Sequence, residues 1–296
     1  MRRSLIIAVP AVALLLAACG STAASSSSSP AASSPAGSST SASASADCSP
    51  SALQTITPGK FTVATGNPAF SPWVIDDKPE SGKGFESAVT YAVAKQLGYT
   101  DADVVWLRTG FDEAIAPGPK KFDANIQQFT ISEDRKKAVD FSSGYYDLTQ
   151  AVVTFKGSPI EKATSLAALK DAKLGAAVGT TSLDAITASI QPTTAPKVYN
   201  NNDDAVAALK AKQIDGLVVD LPTAFYIAFG ELDNGVLIGQ LPNSADQKEQ
   251  LGFLLAKGSP LTQCVTQAVD ALRADGTLAK LQDQWLSASA GAPVLS

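Results

Sequence analysis

From Lys60 to the end of the chain, short runs of β-branched and apolar residues alternate with stretches of helical periodicity. Phe61–Thr65 has the composition of a strand. Apolar residues then recur at positions 85, 89, 92, 93 and 97, a spacing that predicts a helix over Phe85–Leu97 closed by Gly98. Strands that alternate with helices form α/β sheets of mostly parallel strands, and such sheets bind ligands beyond the carboxyl ends of their strands. We therefore expect an α/β protein with its site at those ends.

The same alternation continues to the C-terminus. The further predicted strands are Val104–Leu107, Ala124–Ile126, Val152–Phe155, Leu174–Val178, Gly216–Val219 and Leu251–Leu255. The further predicted helices are Phe111–Ala116, Ser165–Ala172, Asp203–Ala211 and Pro222–Phe229, with two amphipathic helices after Leu261. Ser132 is a favoured N-cap residue, and the acidic residues after it suit a first helical turn.

The residue types exclude several kinds of chemistry. The 296 residues include no His, which excludes Ser-His-Asp and Cys-His catalysis, and three Cys are too few for an all-thiolate zinc site. Arg2 and Arg3 are the only charges in the first 46 residues, so the rest of the chain carries 21 basic and 28 acidic residues, a net charge of −7. A net-acidic body is poorly suited to binding nucleic acid. We expect no metal, no cofactor and no nucleic-acid partner.

The first residues have the pattern of an export signal. Arg2 and Arg3 precede an apolar run from Leu5 to Leu16, which is shorter than the roughly 20 residues of a membrane-spanning helix. The junction Leu16-Ala17-Ala18-Cys19 resembles a bacterial lipobox, which implies a diacylglyceryl thioether on Cys19. The alternative is an ordinary signal peptide with an incidental cysteine. We predict a lipoprotein signal peptide over residues 1–18 and a lipid anchor on Cys19 that holds the protein at the extracytoplasmic face of the cell membrane.

A low-complexity segment follows the predicted anchor. Residues 21–46 contain only Ser, Thr, Ala, Pro and Gly. Such a segment has no apolar surface to offset the entropy lost on ordering. We predict a disordered tether over residues 19–47.

Two cysteines remain in the body of the chain. Outside the cytoplasm, two such cysteines usually pair. We expect Cys48 and Cys264 to form a disulfide, with two buried free thiols as the alternative.

Polar residues suited to ligand contact lie at three predicted strand-to-helix junctions. Thr130 and Arg135 flank one, Thr180 and Thr181 follow Gly179 at the next, and Asp220 follows the run Gly216–Val219. Arg can hold a carboxylate bidentately, hydroxyls and helix N-termini favour the same group, and Asp can accept from an ammonium. Together these residues fit the zwitterion of a free α-amino acid. Each alone is open to a structural interpretation: a surface salt bridge, a helix cap or a turn.

Four segments have a recognisable pattern: Gly84-Phe85-Glu86, Phe122-Asp123-Ala124 through Ser132-Glu133-Asp134-Arg135 to Val139–Tyr146, Val178–Thr181, and Ile214-Asp215-Gly216 with Asp220. Together they resemble the bacterial solute-binding proteins of family 3, the polar amino-acid receptors of ABC importers. These motifs occur in the order of the family and cover residues 58 to 287.

The resemblance implies the type 2 periplasmic-binding-protein fold, with two α/β lobes joined by two crossover strands and a ligand cleft between them. The first lobe is expected over residues 48–149 and 248–290, and the second over 150–247. By motif matching, Arg135, Thr180 and Thr181 contact the ligand carboxylate and Asp220 its amine. The other predicted ligand-binding residues are Asn67, Phe70, Phe111, Gln128 and Thr130.

Departures from the family pattern bear on the ligand. Ala88 replaces a second acid, and Asn67 replaces an acid that some receptors for basic amino acids use. Gln127 and Gln128 stand where the family has small residues. Since no carboxylate besides Asp220 is evident, a cationic ligand side chain would be buried unpaired. We expect a polar uncharged or acidic amino acid.

The resemblance implies a monomeric receptor that closes on a free amino acid and delivers it to the membrane subunits of an ABC permease, without catalysis. One alternative is a dehydratase on the same fold, which would have to use Glu86 or Asp112 as its general acid. Another is a sensory lipoprotein that serves no permease.

Overall fold

The computed structural model describes residues 47–242, 249–286 and 291–296. The predicted signal peptide, the predicted lipidation site Cys19 and the predicted tether up to residue 46 lie outside the described residues. Within these ranges no helix has the length and apolar character needed to cross a bilayer.

The described residues form ten strands and eight α-helices. The strands are β1 (Phe61–Thr65), β2 (Val104–Arg108), β3 (Ala124–Asn125), β4 (Val139–Leu148), β5 (Gln150–Phe155), β6 (Leu174–Ala177), β7 (Lys197–Tyr199), β8 (Gly216–Asp220), β9 (Gly235–Gln240) and β10 (Glu249–Ala256). The helices are α1 (Phe85–Gln96), α2 (Phe111–Ile115), α3 (Glu133–Lys136), α4 (Thr181–Ala185), α5 (Asn202–Lys210), α6 (Leu221–Tyr226), α7 (Thr262–Ala274) and α8 (Thr277–Leu286). Helices α4 and α6 each continue into a π-helical turn, Ile186–Ile190 and Ile227–Glu231.

The strands form two five-stranded sheets in the orders β2-β1-β3-β10-β4 and β7-β6-β8-β5-β9. In the first sheet β1 is parallel to β2 and β3, whereas β10 is antiparallel to β3 and β4. In the second, β6 is parallel to β7 and β8, whereas β5 is antiparallel to β8 and β9. Both sheets are therefore mixed, but in each sheet four strands run in one direction and a single strand, β10 or β5, runs against them. The expectation of mostly parallel strands is confirmed. The two reversed strands, β5 and β10, are the first strands after the two crossovers between the sheets.

Each sheet is the centre of one lobe. Lobe 1 consists of β1–β4, β10, α1–α3, α7 and α8; lobe 2 consists of β5–β9 and α4–α6. Buried aromatic residues such as Phe61, Phe85 and Phe253 fill the core of lobe 1, and aliphatic residues such as Val153 and Leu217 fill that of lobe 2. The chain enters lobe 2 at Thr149 and returns to lobe 1 between β9 and β10. The predicted two-lobe α/β fold with two crossovers is confirmed.

The predicted ends of helices are found where a particular residue type is needed for the backbone conformation. Ser132 caps α3 by accepting from the Arg135 backbone N–H at 3.2 Å. Gly84 precedes α1 at φ +101°, where a Cβ would lie 2.4 Å from the carbonyl oxygen of Trp73, so only Gly fits this position. The predicted helix over Ser165–Ala172 is wrong in type, since the structure has only a 3₁₀ turn at Ala167–Leu169.

A disulfide joins the two cysteines of the described chain. Cys48 bonds to Cys264 of α7 with a Cα–Cα distance of 5.5 Å. It ties the segment before β1 to the helices that cover lobe 1. The expected pairing is confirmed, and the free-thiol alternative is wrong.

The C-terminal residues return to lobe 2 although α8 packs on lobe 1. Val294 forms a parallel bridge to Gln240 of β9, and the Leu295 backbone N–H donates to the Gln240 carbonyl at 2.9 Å. The Leu295 side chain is buried in the core of lobe 2. The end of the chain therefore contributes to lobe 2.

Candidate functional site

A cavity of about 180 Å³ lies where the carboxyl ends of strands from both sheets meet. Its lining comes from the segments that follow β1, β2, β3, β6 and β7 and from the end of β8, as expected for an α/β protein. The lining includes all nine predicted ligand-binding residues: Asn67, Phe70, Phe111, Gln128, Thr130, Arg135, Thr180, Thr181 and Asp220. The structure thus brings together every predicted ligand-binding residue, whereas the two candidate acids of the dehydratase alternative, Glu86 and Asp112, do not line the cavity.

Arg135 extends from α3 in lobe 1 to the opposite lobe. Its Nη1 donates to the Thr130 carbonyl at 2.8 Å, and its Nη2 donates to the Gly179 carbonyl of lobe 2 at 2.9 Å. The guanidinium carbon lies 5.4 Å from the Phe111 ring centroid, within cation–π range. These two bonds use two of the five N–H groups of a guanidinium, so the planar group is held in place with donors left for a carboxylate.

Three threonines extend this end of the cavity. The Thr130 hydroxyl lies 3.1 Å from that of Thr181, across the gap between the lobes. Thr180 caps α4 by accepting from the Leu183 backbone N–H and donating to the Ala177 carbonyl. Thr180 therefore shapes the turn, while Thr181 presents its hydroxyl beside Thr130.

Gly179 makes the turn before these threonines possible. Its φ is +70°, and a Cβ there would lie 2.7 Å from Oδ1 of Asp112. A larger residue would be strained by its backbone angle and would crowd the opposite lobe. Glycine at position 179 is thus required by the backbone angle and by the close approach of the lobes.

Asp220 is the only carboxylate among the described residues that line the cavity. It ends β8, after a run of buried residues, and its Oδ1 accepts from Gln150 Nε2 at 3.0 Å. Burial raises the pKa of Asp220 to about 7. The hydrogen bond from Gln150 lowers this pKa, the negative charges of Glu249 and Glu86 raise it further, and the positive charge of Arg135 lowers it. A cationic ligand group beside Asp220 would favour its charged form.

A second acid, Glu86 of α1, lies fully buried beneath the cavity. Its carboxylate accepts from the backbone N–H of Gln128 at 2.7 Å, from the Gln128 side-chain amide and from the Tyr145 hydroxyl. Burial raises the pKa of Glu86 to about 7, against the effect of these bonds. Gln128, whose φ is +49°, is therefore held by Glu86, and its amide is engaged with this acid.

The aromatic candidates form parts of the wall. Phe70 lies in the loop after β1, and Phe111 begins α2 and stacks on Phe129 with ring centroids 4.8 Å apart. Asn67, in the same loop as Phe70, also lines the cavity.

Sequence reasoning missed other lining residues and the residue behind Asp220. The missed lining residues are Asn200, Asn201 and Asn202, which line the cavity from the junction between β7 and α5. Gln127, which the sequence marked as a departure from the family pattern, lines the cavity from lobe 1. The three asparagines follow a short strand of only three residues that the sequence did not reveal. Gln150 was missed because its importance comes from pairing across the sheet with Asp220, 70 positions away.

The described residues contain no cluster of three or more Cys, Asp or Glu side chains able to hold a metal ion. The charged groups of the cavity itself are Arg135 and Asp220. An anionic group in this cavity could pair with Arg135, and a cationic group with Asp220.

Comparison with known proteins is consistent with this geometry. The sequence profile of the bacterial extracellular solute-binding proteins, family 3, matches residues 61–288. The L-arginine-binding protein of Pseudomonas aeruginosa is 28% identical over 226 residues, which cover 74% of this chain and 85% of that protein. A solved ancestral arginine-binding protein bound to glutamine is 30% identical, with a TM-score of 0.64 over 77% of this chain and 98% of that one. A solved ancestral amino acid-binding protein, a precursor of cyclohexadienyl dehydratase, is 29% identical, with a TM-score of 0.62 over 77% and 95% of the two chains.

Proposed function

Since this chain belongs to the bacterial extracellular solute-binding proteins of family 3, we propose that it captures a free amino acid in the cavity between its lobes and delivers it to an ABC importer. The observation that carries the proposal is the pair of opposite charges, Arg135 and Asp220, on one cavity. A small zwitterion neutralises both groups at once, whereas water or a singly charged solute neutralises at most one of them.

The contacts of the site suggest how the ligand lies. The α-carboxylate binds the guanidinium of Arg135 and the hydroxyls of Thr130 and Thr181, and the α-ammonium binds Asp220. Phe70 and Phe111 provide apolar walls for the ligand carbons. The side chain of the ligand extends toward the amides that line the remainder of the cavity.

We propose a polar uncharged or acidic amino acid as the ligand. Asn67, Gln127 and the three asparagines 200–202 give this cavity amide groups that donate and accept hydrogen bonds. Asp220 is taken by the α-ammonium, so a cationic side chain would lack a carboxylate among the described lining residues. L-Glutamine is the first ligand to test, because an amide side chain matches an amide lining.

Contacts between the lobes explain how binding drives closure. Arg135 joins Thr130 of lobe 1 to Gly179 of lobe 2, and the buried Trp73 Nε1 donates to Thr223 of lobe 2 at 2.7 Å. A ligand that contacts both lobes adds bonds only in the closed arrangement and shifts the population toward it. The crossover at Thr149 is the natural hinge.

We infer binding without turnover. A dehydratase needs a general acid that reaches its substrate. Glu86 is fully buried and already accepts three hydrogen bonds. Asp112 lies against the Gly179 turn and does not line the cavity. Incubation with prephenate or arogenate should leave both compounds unchanged.

We further propose that the protein is a monomer anchored through a lipid on Cys19. Metabolic labelling with palmitate should mark the wild type and leave a Cys19→Ser variant unlabelled. If the protein serves an importer, cells that lack it should lose uptake of its ligand; unchanged uptake would favour a sensory role.

A thermal-shift screen of the amino acids, followed by calorimetry, tests the proposed function. A ligand that binds only the native state raises the melting temperature. We expect L-glutamine or another polar uncharged or acidic amino acid to give the largest shift. Tightest binding to L-arginine would contradict the ligand class, and the absence of binding to any amino acid would contradict the function.

A further inference from the structure

Gln150 lies behind the cavity and links the ligand-facing side chains to both crossovers. It is the first residue of β5, directly after the first crossover, and its side chain is buried. Glu249, the first residue of β10, lies where the chain has returned from lobe 2. One amide group therefore lies among the cavity wall, the first crossover and the second.

The side-chain amide of Gln150 donates to acceptor groups through its nitrogen and accepts from a hydroxyl through its oxygen. Its Nε2 lies 3.0 Å from Oδ1 of Asp220, 3.2 Å from Oε2 of Glu249 and 3.4 Å from Oγ1 of Thr181. Its Oε1 accepts from the Ser182 hydroxyl at 2.7 Å. Since an amide nitrogen has two N–H groups, the two nearest acceptors, both carboxylates, take them.

This arrangement follows from the register of the sheets. Gln150 and Asp220 are direct cross-strand partners in the antiparallel pair β5–β8. Glu249 is the partner of Leu148 in β4, two residues before Gln150 in sequence. The two acids are thereby brought to the same amide from opposite sides of the crossover.

We propose that Gln150 is a positioning residue for ligand capture, which keeps the Asp220 carboxylate charged and oriented toward the cavity while it couples that carboxylate to Glu249 at the second crossover. This inference rests on the proposed binding of an amino acid. Gln150 does not itself line the cavity, so it acts through Asp220 and Thr181.

The electrostatic surroundings show why a donor is needed at this point. Asp220 faces Glu249 from β10, Glu86 from α1, the Tyr145 hydroxyl from β4 and Arg135 from α3. Two of these groups are acids that disfavour a further negative charge. The neutral amide of Gln150 donates to Asp220 and Glu249 at once and so lessens the repulsion between the two acids. A carboxylate or an apolar side chain at position 150 has no N–H group to donate and could not lessen this repulsion.

The test compares Gln150→Leu with the wild type by calorimetric titration of L-glutamine from pH 6 to pH 8.5. We expect the loss of affinity to be largest at pH 6, about tenfold or more, and only a few-fold at pH 8.5, because Asp220 without its donor holds its proton to a higher pH. A second substitution, Glu249→Gln in the Gln150→Leu background, should restore part of the affinity at pH 6 by removing the competing charge.

Thr149→Val is the matched control. It deletes the neighbouring side-chain bond at the crossover, from the Thr149 hydroxyl to Gln240 Oε1 at 2.8 Å, which does not involve Asp220. We expect it to leave the pH profile unchanged. An equal loss of affinity at all pH values in Gln150→Leu, or the same profile change in Thr149→Val, would overturn the proposal.

A ligand-free measurement separates this inference from the proposed function. Carbon-13 NMR should follow the Asp220 carboxyl, assigned through Asp220→Asn, and its pKa should rise by about 1–2 pH units in Gln150→Leu. If the wild type binds no amino acid, the proposed function fails, and with it the role in capture. If the wild type binds but the carboxyl does not shift, the inference about Gln150 alone fails.

Discussion

Replacement of Asp220 by Asn should change affinity and stability in opposite directions. Asn keeps the shape of the side chain and still accepts from Gln150, but it removes the charge that holds the ligand ammonium. An ammonium left without its partner in a buried site costs about 3–5 kcal/mol. At about 1.4 kcal/mol per tenfold change, affinity should fall by between two and four orders of magnitude.

The same substitution should stabilise the ligand-free protein. Burial raises the pKa of Asp220 from 3.8 to about 7. Above pH 7 the folded protein therefore holds a buried negative charge that costs free energy, whereas the same charge in the unfolded chain is hydrated and costs none. Removal of that charge should add up to about 4 kcal/mol to the unfolding free energy at pH 8. The melting temperature should therefore rise by several degrees, at about 2–4 °C per kcal/mol.

Calorimetric titration and a thermal melt at pH 8, on the same preparation, measure both effects. Asp184→Asn is the matched control, because Asp184 also faces Arg135 but is exposed and does not line the cavity. We expect less than a threefold change in affinity for the control. Unchanged affinity in Asp220→Asn, or lowered stability of the ligand-free variant, would refute the role assigned to this carboxylate.

Three further outcomes are expected. Arg135→Ala should weaken ligand binding by calorimetry by about 3–5 kcal/mol, because the ligand carboxylate loses its partner, and an affinity within threefold of the wild type would contradict this. Cys48→Ser with Cys264→Ser should lower the unfolding free energy in urea by about 5 kcal/mol, since the bond closes a loop with a sequence separation of 216; an unchanged urea midpoint would be the contrary result. The pKa of Glu86 is raised to about 7, so between pH 5 and 7 the folded state binds more protons than the unfolded chain. The unfolding free energy of the ligand-free wild type, measured relative to that of Glu86→Gln, should therefore fall from pH 5 to pH 8. A difference between the two proteins that stays constant with pH would contradict this.

Local sequence signals predicted the elements whose residue types alone dictate their structure. β1 has the predicted bounds Phe61–Thr65, and α1 ends one residue before the predicted Leu97. The tenth strand extends the predicted Leu251–Leu255 by three residues. In each case a buried apolar pattern and a turn residue lie close together in sequence.

The missed elements depend on partners distant in sequence. β4, with ten residues, contains Asp140, two serines and Gly144, and becomes a strand because β10 pairs along its length. β7 and β9 are edge strands of lobe 2 with few buried residues. Tertiary pairing, which a local pattern does not contain, determines all three.

Which residues line the candidate site could be predicted from the sequence, whereas how they interact could not. Its nine predicted residues lie at strand-to-helix junctions, where topology brings side chains together. The electrostatic detail was not predictable, because Glu86, Gln150 and Glu249 reach Asp220 from elements separated along the chain. Such contacts depend on register across the sheets rather than on a motif.

A crystal structure of the complex with L-glutamine, or with whichever amino acid stabilises the protein most, would show whether Arg135 and Asp220 hold the ligand. We expect the ligand to lie between the lobes, with its α-carboxylate within hydrogen-bond distance of the Arg135 guanidinium and its α-ammonium within that distance of the Asp220 carboxylate. A ligand bound outside this cavity, or one whose charged groups contact neither side chain, would contradict this expectation.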